Sequence, residues 1–309
     1  MMKRIAIAVT PPLMMMFCIL FPSLVTAETC QFCVMESGEI TVLFDDSLER
    51  AARTVAKIYP ELMNELEERI GWRPDKRITV ALISDHDTFK SIVGVDYVVA
   101  VAVPSKQLVV VDYMTAAARP FSLKTILKHE LCHLLLHEKI ESGRLPRWLD
   151  EGIAQWASGG ISEIAMKRDP FLVSRAVRTG NTIPLRMLER SFPGNEQAIL
   201  SAYEESKSVV EFIIQKFGPE GLRSLIEELR LERNIEEAVQ RALGISLDEL
   251  EYRWHGHVKE RGTWVSFWSY YMYEVVFVLG ALLSVAAFLQ YLRRKRTCLN
   301  RADDDENDL

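Results

Sequence analysis

Apolar and polar positions along the chain follow two periods, and the period changes near residue 122. Glu39 to Phe44 (EITVLF) alternates with the two-residue period of a strand, and Arg77 to Ile83 (RITVALI) repeats it. Between them, Leu48 to Ile70 carries apolar residues at helical spacing and stops at Gly71. Asp85 to Ile92 reads as a short helix capped by an acid. Val98 to Val103 and Leu108 to Val111 are β-rich runs on either side of Pro104-Ser105-Lys106-Gln107, which predicts a hairpin. From Ser122 onward helical spacing takes over. Helices are expected over 122–139, 147–158, 184–190, 196–217, 219–230, 234–242 and 247–260, separated by Gly, Pro and Asn. A mixed β/α half followed by a helical half is an α+β fold.

The two ends of the chain follow other rules. Lys3 and Arg4, the apolar run Leu13 to Leu20 and the small residues Val25-Thr26-Ala27 read as a signal peptide over 1–27. Pro11, Pro12 and Pro22 argue against a stable spanning helix there, although an uncleaved anchor stays open as the alternative. Val275 to Leu292 carries no charge and is just long enough to span a bilayer core. Aromatic residues from Trp264 to Tyr273 crowd one side of it, and Arg293, Arg294, Lys295 and Arg296 follow on the other. Cations stay cytoplasmic, so this pattern predicts a single-pass membrane protein. Its large domain would be periplasmic or extracellular, with a cytoplasmic tail over 293–309. The expected organisation is a signal peptide 1–27, a segment 28–38, a domain 39–263, a belt and span 264–292, and the tail.

Composition narrows the class. Hydrophobic residues make up 49% and charged residues 26%, which excludes a disordered chain. The net charge of −6 removes the broad positive field that nucleic-acid binding needs. Five cysteines are too few for a disulfide scaffold. Cys30 and Cys33 form a C-x-x-C with no second Cys or His pair nearby, so a local disulfide is expected rather than a zinc knuckle.

The chemistry concentrates in TILKHELCHLLLHEK. His129-Glu130-Leu131-Cys132-His133 is H-E-x-x-H on a predicted helix, where residues four apart share a face and both imidazoles can reach one Zn²⁺. Glu130 then sits beside the open coordination position, placed to take a proton from a water. His137 continues the spacing of four, but it lies about 12 Å from His129 along the axis, too far for both to bind one ion. It reads as a polar residue on the helix flank. The third ligand is sought in Trp148-Leu149-Asp150-Glu151-Gly152-Ile153-Ala154-Gln155-Trp156. Gly143 and Pro146 can turn the chain so that this second helix packs back on the first and Glu151 points at the metal. Two His and one Glu with an open position compose a catalytic zinc site; Asp150 is the alternative ligand.

H-E-x-x-H followed by W-L-x-E-G-x-A-x-W, whose Glu151 lies 18 residues after the second His, resembles the gluzincin metallopeptidases. It is most similar to the small peptidase MA-like domains and to the aminopeptidase-N type of site. The resemblance covers about residues 39–217 and is tight at 125–156. It implies His129, His133 and Glu151 as Zn²⁺ ligands, Glu130 as general base, and a zincin-like fold with a small twisted sheet, an active-site helix and a helical subdomain. Tyr203, in AYEESKSVVEFIIQKFG, fits the Tyr that such domains use to stabilise the oxyanion, the alternative being a helix-start aromatic; Ser206 would be its partner. No G-x-M-E-N-like segment precedes the H-E-x-x-H, so nothing is in place to hold a free α-amine. His255 and His257 read as juxtamembrane surface residues.

The expected function is a membrane-anchored zinc metallopeptidase acting on a peptide or protein, with the 98–111 hairpin as the sheet edge that receives an extended substrate. A non-peptidic metallohydrolase and a silent zinc-binding module are the alternatives on the same site.

Overall fold

The computed structural model describes residues 3–5, 32–94, 98–118, 122–140, 144–159, 171–231 and 233–307; the side chains of 3–5, 196, 262–271, 273 and 291–307 lie outside the description. The chain divides into two compact units, Met1–His255 and Gly256–Leu309.

In the first unit, β1 (Lys3–Ile5), β2 (Cys33–Ser37), β3 (Ile40–Phe44), β4 (Ile78–Ile83), β5 (Ala100–Val103) and β6 (Leu108–Asp112) form a mixed sheet of order β1-β2-β3-β4-β6-β5. β3, β4 and β6 run parallel, with Val42 beside Val80 and Val80 beside Val109. β5 returns antiparallel to β6 and forms one edge. The parallel strands are covered on both faces, which is why ITVALI and LVVV are nearly continuous apolar runs. One face packs Leu43, Ala81, Ile83, Leu108 and Val110 with Phe89 of α2 (His86–Val93). Against β3 lies α1 (Glu49–Ile70), whose buried Val55, Tyr59, Leu62, Met63, Leu66 and Ile70 keep helical spacing up to Gly71 at φ 90°. After the short α3 (Tyr113–Ala117), α4 (Leu123–Lys139) packs against β5, β6 and α1.

The helical half continues with α5 (Arg147–Ser158), α6 (Leu172–Thr179), α7 (Glu196–Arg230), α8 (Ile235–Leu243) and α9 (Leu247–Asn307). α7 is two helices that meet at Gly218, φ 75° and ψ 171°, where Pro219 starts the second, in agreement with the boundary expected between 217 and 219. The expected helix 184–190 is only a 3₁₀ turn at Leu185–Leu188 behind Pro184. The helix expected over 247–260 begins at Leu247 as α9. β2, α3 and α6 were not expected from the pattern.

Of the expected signal peptide, Lys3–Ile5 form β1 against β2, and residues 6–27 lie outside the described residues. Cys30 does too, so the expected Cys30–Cys33 pair is not described; Cys33 Sγ lies 2.8 Å from Asp46 Oδ1. In the second unit, Tyr291 and Leu292 of the expected span have no described side chains, and among the described residues no helix is long and apolar enough to cross a membrane.

Candidate metal centre

α4 and α5 build the centre, and the packing of α5 between α4 and α7 sets its geometry. Trp148, Leu149 and Ile153 are fully buried and fix the rotation of α5. That rotation brings Glu151, 7% exposed, toward α4. Gly152 makes the approach of α7 close enough: a Cβ there would stand 2.5 Å from the carbonyl oxygen of Ser206 and 2.8 Å from Val210 Cγ2. Only glycine fits so tight a crossing.

Three donor atoms converge. His129 Nε2 and His133 Nε2 are 3.1 Å apart, and Glu151 Oε2 is 3.6 Å from each. In the plane of the three atoms the equidistant point lies about 2.0 Å from each, the length of a Zn–N or Zn–O bond. The donor set therefore fits Zn²⁺, and among the described residues this is the one His/Cys/Asp/Glu group that could hold a metal ion. Asp150 strengthens the fit from behind. His133 Nδ1 donates to Asp150 Oδ1 at 2.7 Å, which leaves the Nε2 lone pair facing Glu151 and His129. Burial opposes charge on His133, but the Asp150 and Glu151 carboxylates outweigh it and hold the imidazole well above its usual value. Burial likewise opposes ionisation of Glu151, and the two imidazoles overcome it, so its carboxyl is held well below the usual range. Surroundings that favour positive charge at this point favour a metal cation.

The remaining expected residues fall as follows. Glu130 is 2% exposed, and its Oε1 has no hydrogen-bond partner among the described residues. Tyr203 on α7 directs its hydroxyl to Glu151 Oε1 at 3.4 Å, so the structure joins it to the triad across 52 residues of sequence. Asp150, the alternative ligand, instead bridges His133 and His137, accepting from His137 Nε2 at 2.8 Å. That bridge is the use of His137. Ser206 is fully buried and donates to the carbonyl of Ala202 at 2.6 Å, one turn back. His255 Nε2 lies 3.1 Å from Thr182 Oγ1, and neither His255 nor His257 belongs to the metal group.

Two residues of the centre went unnoticed in the sequence. Arg147 places Nη2 3.3 Å from Glu151 Oε1 and lays its guanidinium over the Phe192 ring at 5.2 Å. Phe192 in turn meets Tyr203 edge to face at 5.1 Å. The signal for Arg147 was its position four residues before Glu151 on the same helix face; Phe192 had none, because it sits outside any regular element.

A mixed sheet with a helix-borne H-E-x-x-H and a glutamate from the next helix turned toward both imidazoles defines an α+β domain with a candidate metal centre. Residues 61–260 match the family model of the Peptidase MA superfamily, more than half of the chain, and the chain belongs to that superfamily. Among solved structures it is similar to an M1 zinc metallopeptidase from Deinococcus radiodurans, at 17% identity and TM-score 0.41, covering 74% of this chain and 49% of that one. A mutant of that enzyme gives 15% identity, TM-score 0.41 and coverage of 74% and 50%. The mutant bound to a Tyr-Ser-Ala substrate gives 17%, TM-score 0.37 and coverage of 72% and 50%. The chain thus spans about half the length of these enzymes. No curated protein matches it.

Proposed function

We propose that the protein is a zinc metallopeptidase that hydrolyses peptide bonds. The observation that carries this reading is the convergence of His129, His133 and Glu151 beside Glu130, a buried carboxylate with an unpartnered oxygen. Zn²⁺ held by the triad would supply Lewis-acid polarisation of water and of the substrate carbonyl. Glu130 takes the proton from the attacking water and returns it to the leaving nitrogen. Tyr203 donates its hydroxyl to the oxyanion that develops on the carbonyl oxygen. Asp150 holds His133 in the tautomer whose Nε2 is free to coordinate. β5, the sheet edge beside α4, offers its backbone to an extended peptide.

The reading includes a single membrane anchor. Val275 to Leu292 has no charge, Arg293 to Arg296 follow it, and Phe277, Leu282, Leu283 and Phe288 are exposed. A continuous exposed apolar surface of this kind calls for a nonaqueous neighbour. The catalytic unit then faces the periplasm or cell exterior, with the C-terminus cytoplasmic.

The test is hydrolysis of a mixed peptide library by the purified full chain in detergent, with mass spectrometry of products and zinc content measured together. Cleavage that o-phenanthroline abolishes and added Zn²⁺ restores supports the reading. Hydrolysis of ester substrates with no peptide cleaved would make it a non-peptidic hydrolase, and stoichiometric zinc with no turnover a binding module. External protease that leaves the catalytic unit intact on sealed vesicles would overturn the orientation.

A further inference from the structure

We infer that Arg147 is a specificity-determining residue, forming with Phe192 a subsite for a carboxylate of the substrate close to the scissile bond. The inference rests on the peptidase reading above and names its substrate class: peptides with an acidic side chain or terminal carboxylate near the cleaved bond.

The ion pair to Glu151 does not by itself explain the arginine. Arg147 is the first residue of α5, where the helix dipole disfavours a cation. Its partner Glu151 lies four residues later, the weaker orientation of an i,i+4 ion pair. The 3.3 Å approach is also long for a charge-assisted bond. A cation beside the outer oxygen of a metal ligand draws charge from the donor oxygen, so the placement works against metal binding as well.

The surroundings instead prepare the guanidinium for a ligand. Its Cζ lies over the Phe192 ring at 5.2 Å, and Phe192 is braced edge to face by Tyr203. The Arg147 backbone is anchored by its N–H donating to the carbonyl of Glu189 at 2.8 Å. With its backbone anchored and Phe192 beneath it, the side chain remains 47% exposed. A guanidinium presents five donors in a rigid fork that matches a carboxylate, and here it meets two acceptors, Glu151 Oε1 and the Tyr203 hydroxyl. Because Glu151 Oε1 touches Arg147 and Glu151 Oε2 faces the histidines, a substrate carboxylate on the fork lies within a residue or two of a carbonyl at the metal position. The Phe192 ring supplies apolar contact for its methylenes.

The experiment uses fluorescein-labelled alanine-based decapeptides carrying one Asp or one Lys at each position in turn, with the purified full chain in detergent. The wild type should cleave the best Asp peptide with kcat/KM at least about tenfold above its Lys counterpart, mainly through KM, as one charge-assisted contact provides. Arg147→Glu should invert that ratio, Arg147→Gln should abolish it, and Arg147→Lys should keep part of it, with each rate compared per bound zinc. A second arm measures binding of the same peptides by anisotropy in the Glu130→Gln background, with and without Arg147→Glu. Arg147-dependent preference for Asp in binding, with no peptide ever cleaved by the wild type, would uphold the subsite and overturn the peptidase reading. Cleavage with equal Asp and Lys ratios in the wild type, or the same ratio in Arg147→Glu, would overturn the subsite and leave that reading intact.

Discussion

His133 Nδ1 and Asp150 Oδ1 are 2.7 Å apart, and the residue that makes this bond is the chain neighbour of the proposed ligand Glu151. One helical turn thus supplies both a ligand and the group that aims another ligand. Glu151→Gln should weaken zinc most, because it removes a donor atom of the triad. Asp150→Asn should weaken zinc by about 10- to 100-fold, the usual cost of losing such an outer partner. Competition against a fluorescent zinc chelator measures both. An Asp150→Asn variant that binds zinc less well than Glu151→Gln would reverse the assignment of ligand and partner.

Gly152 and Ser206 give the second expectation. A Cβ at 152 would stand 2.5 Å from a backbone oxygen, which cannot swing away as a side-chain tip can. Gly152→Ala should push α7 off α5 and lower stability by about 1 to 3 kcal/mol, the range for overpacking. Tyr203 rides on α7 three residues before Ser206, so the variant should also lose turnover beyond what its unfolded fraction explains. Thermal melting and kcat together check this; a variant as stable and active as the parent would show that the crossing is not rigid.

The sequence disclosed the site more fully than the fold. H-E-x-x-H carries its own geometry, since residues four apart share a helix face, and the W-L-x-E-G helix carries an apolar face that fixes where Glu151 points. β3, β4 and the β5–β6 hairpin were legible because their apolar runs are long and bounded by turn residues. β2 was not, because Cys-Val-Met-Glu-Ser has little β-branched content and becomes a strand only by pairing with β3. Asp150 was weighed only as a ligand, since a carboxylate next to Glu151 offers no local sign of which imidazole nitrogen it meets. The meeting of Arg147, Phe192 and Tyr203 depends on how α5 and α7 pack, which no local pattern encodes.

A third expectation concerns pH. Glu205 is 1% exposed, accepts the Ile183 N–H at 3.0 Å, and burial together with the neighbouring Glu251 pushes its carboxyl up to about 7. The folded state therefore holds this proton across pH values at which the unfolded chain, near 4.5, has lost it. Stability must then fall as pH rises from about 4.5 through 7. Glu205→Gln keeps an oxygen for the Ile183 N–H and removes the titration. It should stabilise the protein at pH 8, on the order of 2 to 3 kcal/mol at most, and change little at pH 4.5. Equal effects at both pH values in denaturant melts would exclude Glu205 as the titrating group.

Glu130 separates chemistry from structure. Its Oε1 is buried with no partner among the described residues, an arrangement that costs stability. It lies beside His129 yet is not one of the three converging donors. Glu130→Gln keeps the size and loses only the capacity to accept a proton. Zinc content should stay at the parent level, and the melting temperature should hold or rise, since an amide is cheaper to bury than a carboxylate. Hydrolysis should fall by about 10²- to 10⁴-fold, the contribution of a positioned general base. Tyr203→Phe should cost about 10²- to 10³-fold if its hydroxyl donates to the oxyanion, with zinc again retained. Loss of zinc from Glu130→Gln would mean that this carboxylate is a ligand after all. Hydrolysis at the parent rate in a zinc-loaded Glu130→Gln variant would exclude the general-base mechanism, whatever the metal does.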